Sequence, residues 1–361
     1  MTYYEVNLSD VAENYKTVAA QTTALVVPML KADAYGLGAQ AVRDRLMDEG
    51  VHTFAVSRPE EALALEKEGV EIWCLACCRD KATLETMVDH GFSVAVDSLE
   101  QCRMLSDIAQ EKEKKVRVHV AIDTGFGRFG FAPSAVEDIA KAMQLPGLEA
   151  QGIYSHLAAA FFPKDRFADR QLEIFQQTVQ ALAEKDIRFT VEHIAGSSAF
   201  FRDKKFHLDA VRIGSALCGR LPVPCQTPLK RVGHLYSEII DLKTLEKGHN
   251  VGYGKVYRTS KKVRTAVLAV GSADGVQMKK EYDAFRFRDF CRYALALCKL
   301  FFKRDKRMRV RLPQGSAPVL GRVALTTMVI DVSGLECAIG DRAEIPISPL
   351  QVGRHIERRY L

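Results

Sequence analysis

The chain has 361 residues, of which 47% are hydrophobic and 27% are charged, and its formal net charge is +6. This composition is that of an ordinary globular protein, which excludes a fibrous or disordered chain, and the length is enough for two domains. The N-terminal segment lacks the basic and apolar parts of a signal peptide, and no apolar run approaches the roughly 18 residues of a membrane span. We therefore expect a cytoplasmic protein with a sizeable core.

The first elements lead to Lys31. Ser9 and Asp10 can cap a helix that continues through Lys16, and the apolar run that follows ends at Lys31. Desolvation at the end of a buried strand lowers the pKa of a lysine, and a Schiff-base lysine needs this setting. Tyr35 would lie on the same side as Lys31 if a helix begins there. The alternative is a strand-end lysine in a surface salt bridge, which is what most lysines form.

Between residues 23 and 217, apolar and β-branched runs alternate with helical patterns, as in βα units. One predicted helix begins at Arg58 and Pro59, and another spans 167–185. The predicted strands are 23–31, 53–57, 71–76, 93–98, 116–123, 149–156, 190–196 and 210–217. Eight parallel strands predict a closed (β/α)8 barrel of the TIM type, with its chemistry at the C-terminal strand ends. An open doubly wound sheet is the alternative, but no Gly-x-Gly-x-x-Gly turn follows the first strand.

The cysteines do not predict a disulfide framework. They are nine in number and scattered along the chain, which fits reduced thiols. Cys74, Cys77 and Cys78 could hold a metal, but no second Cys or His pair follows at finger-like spacing. Because a structural zinc site normally needs four ligands, we predict no metal site.

The chain changes character at Pro222-Val223-Pro224. Beyond it, alternating segments at 236–242, 263–270 and 328–332 predict antiparallel strands. We therefore predict a barrel at 9–222 and a C-terminal, mainly antiparallel β domain at 223–361, joined by residues 1–8.

A strongly basic segment interrupts the β domain. Residues 279–311 contain twelve Lys or Arg and four Asp or Glu, a net charge of +8. A helical wheel separates its basic from its apolar residues, which predicts an inserted amphipathic helix near 285–306. The two sides are Arg288, Arg292, Lys299 and Lys303, and Phe290, Tyr293, Leu297, Leu300 and Phe301. The helix could contact an anionic membrane surface or an acidic partner, but we expect it to dock on its own domain. No nucleic-acid-binding motif accompanies it.

Polar residues follow the last four predicted barrel strands, so all would face one mouth of the barrel. They include Arg128, His156, Ser197, Arg212, Gly214 and Ser215. Ser197 and the backbone amides of Gly214 and Ser215 are suited to a phosphate, and a buried Arg212 must pair with something. Singly, such residues are more often helix caps, salt-bridge partners or core histidines.

With these motifs, above all 31–38 and 123–130, the chain resembles the alanine racemase family over nearly its whole length. The resemblance implies a pyridoxal 5'-phosphate enzyme of fold type III that racemises a small amino acid, alanine or a relative such as serine. It also implies a head-to-tail homodimer, in which the β domain of one subunit completes the active site of the other.

The resemblance implies a role for each site residue. Lys31 would hold the cofactor aldehyde covalently, and the phosphate would be bound by Tyr35, Ser197, Gly214 and Ser215. Arg212 would face the pyridine nitrogen, His156 would stack beside the ring, and Arg128 would contact the ring oxygen and the substrate carboxylate. The Leu325 N–H would also meet that carboxylate. Tyr253, from the partner, would be the second catalytic base beside Lys31, supported by a polar chain through His156, Arg212 and His193.

Several positions depart from the family pattern. The lysine that is often carbamylated to hold the carboxylate-binding arginine is Ala121 here. A Met-Asp pair is replaced by Leu325 and Thr326, a gate tyrosine by Ser272, and an asparagine by Gly196, and the C-terminal tail is shortened. These changes imply an altered substrate range or a reduced rate.

Two other readings remain open. A fold-related decarboxylase would share the barrel and Lys31 but should place an acid, not Arg212, at the ring nitrogen. A non-catalytic protein that only holds the cofactor would need Lys31 but would have no use for Tyr253.

Overall fold

The computed structural model describes residues 1–162, 165–221, 223, 228–278, 287–302 and 307–361, without the side chains at 288 and 299–302. The chain forms two compact units, which we call the barrel unit (Asn7–Val232) and the β unit (Met1–Val6 with Gly233–Leu361). Strand β1 (Thr2–Val6) belongs to the β unit. Residues 222 and 224 of the sequence boundary, and 285, 286 and 303–306 of the basic segment, lie outside the described residues.

The barrel unit contains eight parallel strands. They are β2 (Leu25–Pro28), β3 (Thr53–Val56), β4 (Glu71–Cys74), β5 (Ser93–Val96), β6 (Val116–Ala121), β7 (Leu148–Tyr154), β8 (Val191–Gly196) and β9 (Ala210–Ile213). Each strand from β3 to β8 pairs with the next along the chain, and β2 pairs with β9. The barrel closes between β2 and β3 through the Met29–Ala55 bridge, where the Leu30 N–H donates to the Ala55 carbonyl at 2.8 Å. The predicted (β/α)8 barrel is therefore confirmed.

Helices surround these strands and cover the outward apolar side chains. They are α1 (Leu8–Ala19), α2 (Lys31–Gly36), α3 (Ala39–Met47), α4 (Pro59–Leu65), α5 (Lys81–Asp89), α6 (Leu99–Glu111), α7 (Val136–Met143), α8 (Phe167–Ala183) and α9 (Ser197–Arg202), with a 3₁₀ turn at Lys204–Phe206. The predicted cap of α1 is wrong. The helix begins two residues before Asp10, and the Asn7 side chain accepts the Asp10 N–H at 3.1 Å.

The short helix α2 is left-handed. Ala32, Asp33, Ala34 and Tyr35 have φ between 51° and 59°, so the helix that begins at Lys31 has the opposite hand to an ordinary α-helix. Hydrogen bonds from neighbouring elements hold this turn, since the Ala32 N–H donates to Glu61 Oε1 and Asp33 Oδ1 accepts the Ala39 N–H, both at 2.7 Å. Each left-handed non-glycine residue costs about 1–2 kcal/mol, so the turn around Lys31 is strained.

This strain predicts opposite effects for two similar substitutions. Ala32→Gly should stabilise the chain by about 0.5–1 kcal/mol, because glycine accepts a positive φ. Ala41→Gly, in the right-handed helix α3, should destabilise it by about 1 kcal/mol. Urea denaturation of both variants measures the difference, and equal losses of stability would contradict the left-handed turn.

The β unit contains one sheet of eight strands. After β1 it comprises β10 (Gly233–Leu245), β11 (Val263–Leu268), β12 (Arg309–Leu312), β13 (Gly315–Leu320), β14 (Met328–Asp331), β15 (Arg342–Ile345) and β16 (Glu357–Tyr360). The order is β11-β14-β13-β12-β15-β10-β1-β16, and β10 also pairs with β11. All of these pairs are antiparallel except β1 with β16. The predicted antiparallel fold is confirmed. Short 3₁₀ turns lie at Tyr253–Lys255, Ser272–Asp274 and Pro349–Gln351.

The basic segment forms helix α10 (Phe287–Phe302). Phe290 and Leu297, on the side expected to dock on the domain, are 64% and 57% exposed in the chain, so that expectation is wrong for them. Asp289, on the same helix, is only 7% exposed. Within the described residues, no helix combines the length and apolar character needed to cross a membrane.

Candidate active site

A cavity of about 330 Å³ opens at the C-terminal ends of the barrel strands. Its lining includes eight of the residues selected from the sequence: Lys31, Tyr35, Arg128, His156, Ser197, Arg212, Gly214 and Ser215. They follow or end β2, β6, β7, β8 and β9, so the parallel register of the barrel brings them together. The other two, Tyr253 and Leu325, belong to the β unit, where they are 70% and 67% exposed.

Lys31 is a partly buried amine in a cationic environment. Burial lowers its pKa, and the positive charges of Arg128 and Arg212 lower it further, while Glu61 opposes them. A lysine with a lowered pKa has a larger neutral fraction, so it can attack a carbonyl or accept a proton.

One end of the cavity is built from hydroxyl groups and backbone amides. Ser197 Oγ accepts the N–H groups of Gly214 and Ala216 at 3.2 and 3.3 Å. A Cβ at position 214 would overlap the Tyr35 hydroxyl, so glycine is needed for the close approach of this side chain. Burial raises the pKa of Tyr35, which therefore stays a neutral hydrogen-bond donor.

Arg212 is buried against backbone carbonyls. Its Nη1 donates to His193 Nδ1 at 2.6 Å and to the His193 carbonyl at 3.1 Å, and its Nη2 donates to the Ser155 and Ile194 carbonyls at 2.8 and 3.2 Å. Among the described residues, the Nε–H has no acceptor, and Arg212 lines the cavity. Burial lowers its pKa to about 10, so it remains charged at neutral pH.

His156 does not join the polar chain expected from the sequence. No hydrogen bond joins its ring to Arg212 within the described part of the chain; the ring packs edge-on against Phe126, with ring centres 4.9 Å apart. Burial and the charges of Arg212, Arg128 and Lys31 lower the pKa of His156 to about 3, so its ring is neutral. The His193–Arg212 contact of that chain is present.

Comparison with known proteins identifies the family. Residues 6–222 match the model of the alanine racemase N-terminal domain, and residues 232–349 match that of the C-terminal domain. The alanine racemase of Clostridium tetani is 31% identical over 88% of this chain and 78% of its own length. That of Clostridium kluyveri is 28% identical over 93% of this chain and 82% of its own length.

The chain belongs to the alanine racemase family. Solved structures of the family share its fold. The alanine racemase of Clostridium difficile 630 matches with a TM-score of 0.87 at 24% identity, covering 100% of this chain and 95% of its own. The alanine racemase of Bartonella henselae, solved with covalently bound pyridoxal phosphate, has a TM-score of 0.82 at 23% identity. The match covers 100% of this chain and 99% of that one.

Ala121 and Arg128 both line the cavity. Ala121 packs in an apolar cluster with Ala95 and Tyr154. The Arg128 guanidinium lies over the rings of Phe126 and Phe129, at 4.4 and 5.5 Å from the ring centres. These two aromatic rings therefore orient the Arg128 guanidinium in this structure.

Asp123 shapes the loop that carries Arg128. One carboxylate oxygen accepts the N–H groups of Gly125, Phe126 and Gly127 at 2.9, 2.9 and 3.0 Å. These hydrogen bonds lower the pKa of Asp123 although its burial raises it. The loop therefore keeps a tight turn beside the cavity.

In the β unit, the segments that contain Ser272 and Leu325, two positions that depart from the family pattern, lie side by side. The N–H groups of Ser272 and Ala273 donate to the carbonyls of Ala324 and Leu325, both at 2.9 Å. The 3₁₀ turn of Tyr253 lies against the same segment, because a Cβ at Gly252 would come 3.3 Å from the Arg322 carbonyl. The β unit therefore presents Tyr253 close to the segment that contains Leu325.

Sequence reasoning missed a group of polar residues inside the barrel. His119 on β6 and Gln151 on β7 connect His193 to Glu71 on β4. The available signal was a polar residue between valines in a buried strand, such as His119 in Val116–Ala121. Their partners lie on other strands, so the contacts cannot be found without the register.

Proposed function

We propose that this chain is a pyridoxal-phosphate-dependent alanine racemase. The observation that supports this most directly is one cavity that combines the Lys31 amine, the free Nε–H of Arg212 and a cradle of hydroxyls and amides. Relatives named alanine racemase, which match at about 30% identity over most of the chain, support the same activity.

The residues present fit pyridoxal phosphate. Tyr35, Ser197 and Ser215 offer neutral donors to a phosphate, and the Gly214 N–H, which donates to Ser197 Oγ in this structure, would turn to the same anion. The close approach of Tyr35 to Gly214 shapes a site for a small anion. Arg212 offers one N–H to the pyridine nitrogen, and Lys31 offers an amine to the aldehyde. His156, with its neutral ring, would lie beside the cofactor ring.

When bound, pyridoxal phosphate withdraws electrons from the substrate and makes the hydrogen on its Cα acidic. Lys31, with its lowered pKa, accepts or returns this proton on one face. Tyr253 of the partner subunit does so on the opposite face, and two opposed bases invert the centre. Arg212 resists giving up its proton, which keeps the ring less electron-withdrawing and limits transamination.

Substrate binding would depend on Arg128 and the β unit. Arg128 would contact the substrate carboxylate, and the Leu325 N–H of the partner subunit would donate to the same group. Both Tyr253 and Leu325 are exposed in the isolated chain, which supports a site shared between two subunits in a homodimer. A membrane-surface contact is no part of this proposal, and the cytoplasmic location remains a prediction.

Proton exchange in heavy water tests the proposed function. The purified protein with pyridoxal phosphate is incubated with L- or D-alanine, and with serine as a second substrate. We expect deuterium at Cα together with optical inversion. Exchange without inversion would indicate a one-base enzyme, and bound cofactor without any exchange would favour a non-catalytic binding protein.

The Phe126 ring predicts an effect on substrate binding. Phe126→Leu should raise the KM for alanine about two- to fivefold, because an exposed cation–π contact contributes about 0.5–1 kcal/mol. Phe129→Leu is the matched control, since its ring centre lies farther from the guanidinium, at 5.5 Å against 4.4 Å. Steady-state kinetics measures both, and a larger effect at Phe129 would contradict the assignment.

A further inference from the structure

A continuous chain of hydrogen bonds crosses the barrel interior, from Arg212 at the cavity to Glu71 on β4. Arg212 Nη1 donates to His193 Nδ1 at 2.6 Å, and His193 Nε2 lies 2.9 Å from His119 Nδ1. His119 Nε2 lies 3.1 Å from Gln151 Oε1, and Gln151 Nε2 donates to Glu71 Oε1 at 2.6 Å. Both histidines are fully buried, with an exposed fraction of 0%, whereas Gln151 and Glu71 at the other end are partly exposed.

The two ends of this chain determine the direction of every bond. Arg212 can only donate, so His193 has its proton on Nε2 and donates to His119. His119 then has its own proton on Nε2 and donates to the Gln151 oxygen. At the other end the Glu71 carboxylate only accepts, which turns the Gln151 NH₂ group toward it and the oxygen toward His119. Any other arrangement puts two protons or two lone pairs face to face.

Further contacts hold Glu71 and Gln151, at the end of the hydrogen-bond series that is remote from Arg212. Arg117 Nη1 donates to the same Glu71 oxygen at 2.8 Å, which holds this carboxylate in place. Ser93 Oγ donates to Gln151 Oε1 at 2.7 Å, so the amide oxygen faces donors only. This end therefore specifies the orientation of the amide.

Packing prevents the two imidazole rings from tilting. The Trp73 ring lies over both, with centroid distances of 4.5 Å to His119 and 5.1 Å to His193. A Cβ at Gly152 would overlap the His119 ring. Burial lowers the pKa of His119 to about 3 and that of His193 well below its usual value, so both rings stay neutral. A neutral imidazole has one donor and one acceptor, as the chain requires.

We infer that Gln151 is a positioning residue, which sets the tautomers of His119 and His193 and so holds the Arg212 guanidinium with its Nε–H toward the cavity. The role of Arg212 toward a cofactor rests on the proposed function, whereas the tautomers do not depend on it. Without an acceptor at Gln151, the His119 proton is either unsatisfied or moves to Nδ1. In the second case His193 turns a proton toward Arg212 and displaces it.

Nitrogen NMR tests the tautomers on the full chain without cofactor. With histidine labelled with nitrogen-15, and His119→Gln and His193→Gln for assignment, we expect both rings to be neutral with the proton on Nε2. Gln151→Met should produce mixed tautomers. Gln151→Glu should restore the pattern when its carboxyl is protonated, because it then accepts from His119 and donates to Glu71. A proton on Nδ1 of His193 in the unmodified chain, or unchanged nitrogen shifts in Gln151→Met, would overturn the inference.

Spectroscopy and kinetics test the consequence for Arg212. Gln151→Met should shift the absorption of bound pyridoxal phosphate and lower kcat about tenfold with little change in KM, since Arg128 is untouched. Thr53→Val is the matched control. It removes a 3.2 Å hydrogen bond to Glu71 Oε2, which takes no part in the hydrogen-bond series from Arg212 to Glu71. It should therefore change neither the absorption of the bound cofactor nor kcat.

The outcomes separate the two proposals. Equal spectra and kcat for Gln151→Met and Thr53→Val would overturn the positioning role. A chain that shows the expected tautomers and spectral shift but racemises nothing would contradict the proposed function and support the role of Gln151.

Discussion

Lys31→Ala is expected to abolish racemisation in both directions, by at least about a thousandfold in kcat. The side chain is the one amine among the described cavity residues, and no neighbouring group can replace it in binding an aldehyde. Optical inversion of L- and D-alanine measures the loss. We also expect the visible absorption of covalently held cofactor to disappear, although the phosphate cradle remains.

Lys141→Ala is a suitable control for this variant, since that lysine is exposed on α7 and pairs only weakly with Asp138, at 4.0 Å. Its activity should match that of the unmodified chain. Retention of more than a few per cent of activity by Lys31→Ala would remove the central residue of the proposed function.

Mixing two inactive variants is expected to restore activity. In a head-to-tail dimer each site takes Lys31 from one chain and Tyr253 from the other, so Lys31→Ala and Tyr253→Phe chains complement each other. After equal amounts are dissociated and reassociated, about one quarter of all sites should contain both native residues. Recovery of racemase activity against each variant alone measures this.

The double variant provides the opposite control. When the unmodified chain is reassociated with an equal amount of Lys31→Ala/Tyr253→Phe, about one quarter of all sites in the mixture should be active if the sites are shared, and about one half if they are not. Failure of the single variants to complement, together with the higher value here, would show that each chain builds its own site.

The sequence predicts the barrel because its strands are short apolar runs separated by helical patterns. Seven of the eight observed strands lie within the predicted ranges, and β7 begins one residue earlier, at Leu148. All of the observed barrel strands except β8 end before the predicted C-terminal residue, because residues such as Lys31 and His156 leave the sheet to line the cavity. The cavity residues could be selected because parallel strands end at one mouth.

Features that depend on several elements could not be predicted. The left-handed turn at Ala32–Tyr35 contains no glycine and depends on Glu61 of another helix. The Arg128 contacts with two phenylalanine rings depend on the loop shape that Asp123 imposes. In α10, the helical wheel identified an apolar side but not the side that faces the domain, because that depends on tertiary packing.

The place where the barrel closes determines when Lys31 acquires its surroundings during folding. Lys31 follows β2. This strand pairs with β9 along its whole length, whereas among the described residues it is joined to β3 only by the Met29–Ala55 bridge. The first and last barrel strands must therefore come together before the amine has its surroundings, and contacts between such distant segments form slowly. A nascent chain that still lacks β9 has the lysine but no pocket. On the proposed function, capture of vitamin B6 phosphate would be tied to the end of folding, and a ligand that binds only the closed barrel stabilises it against reopening.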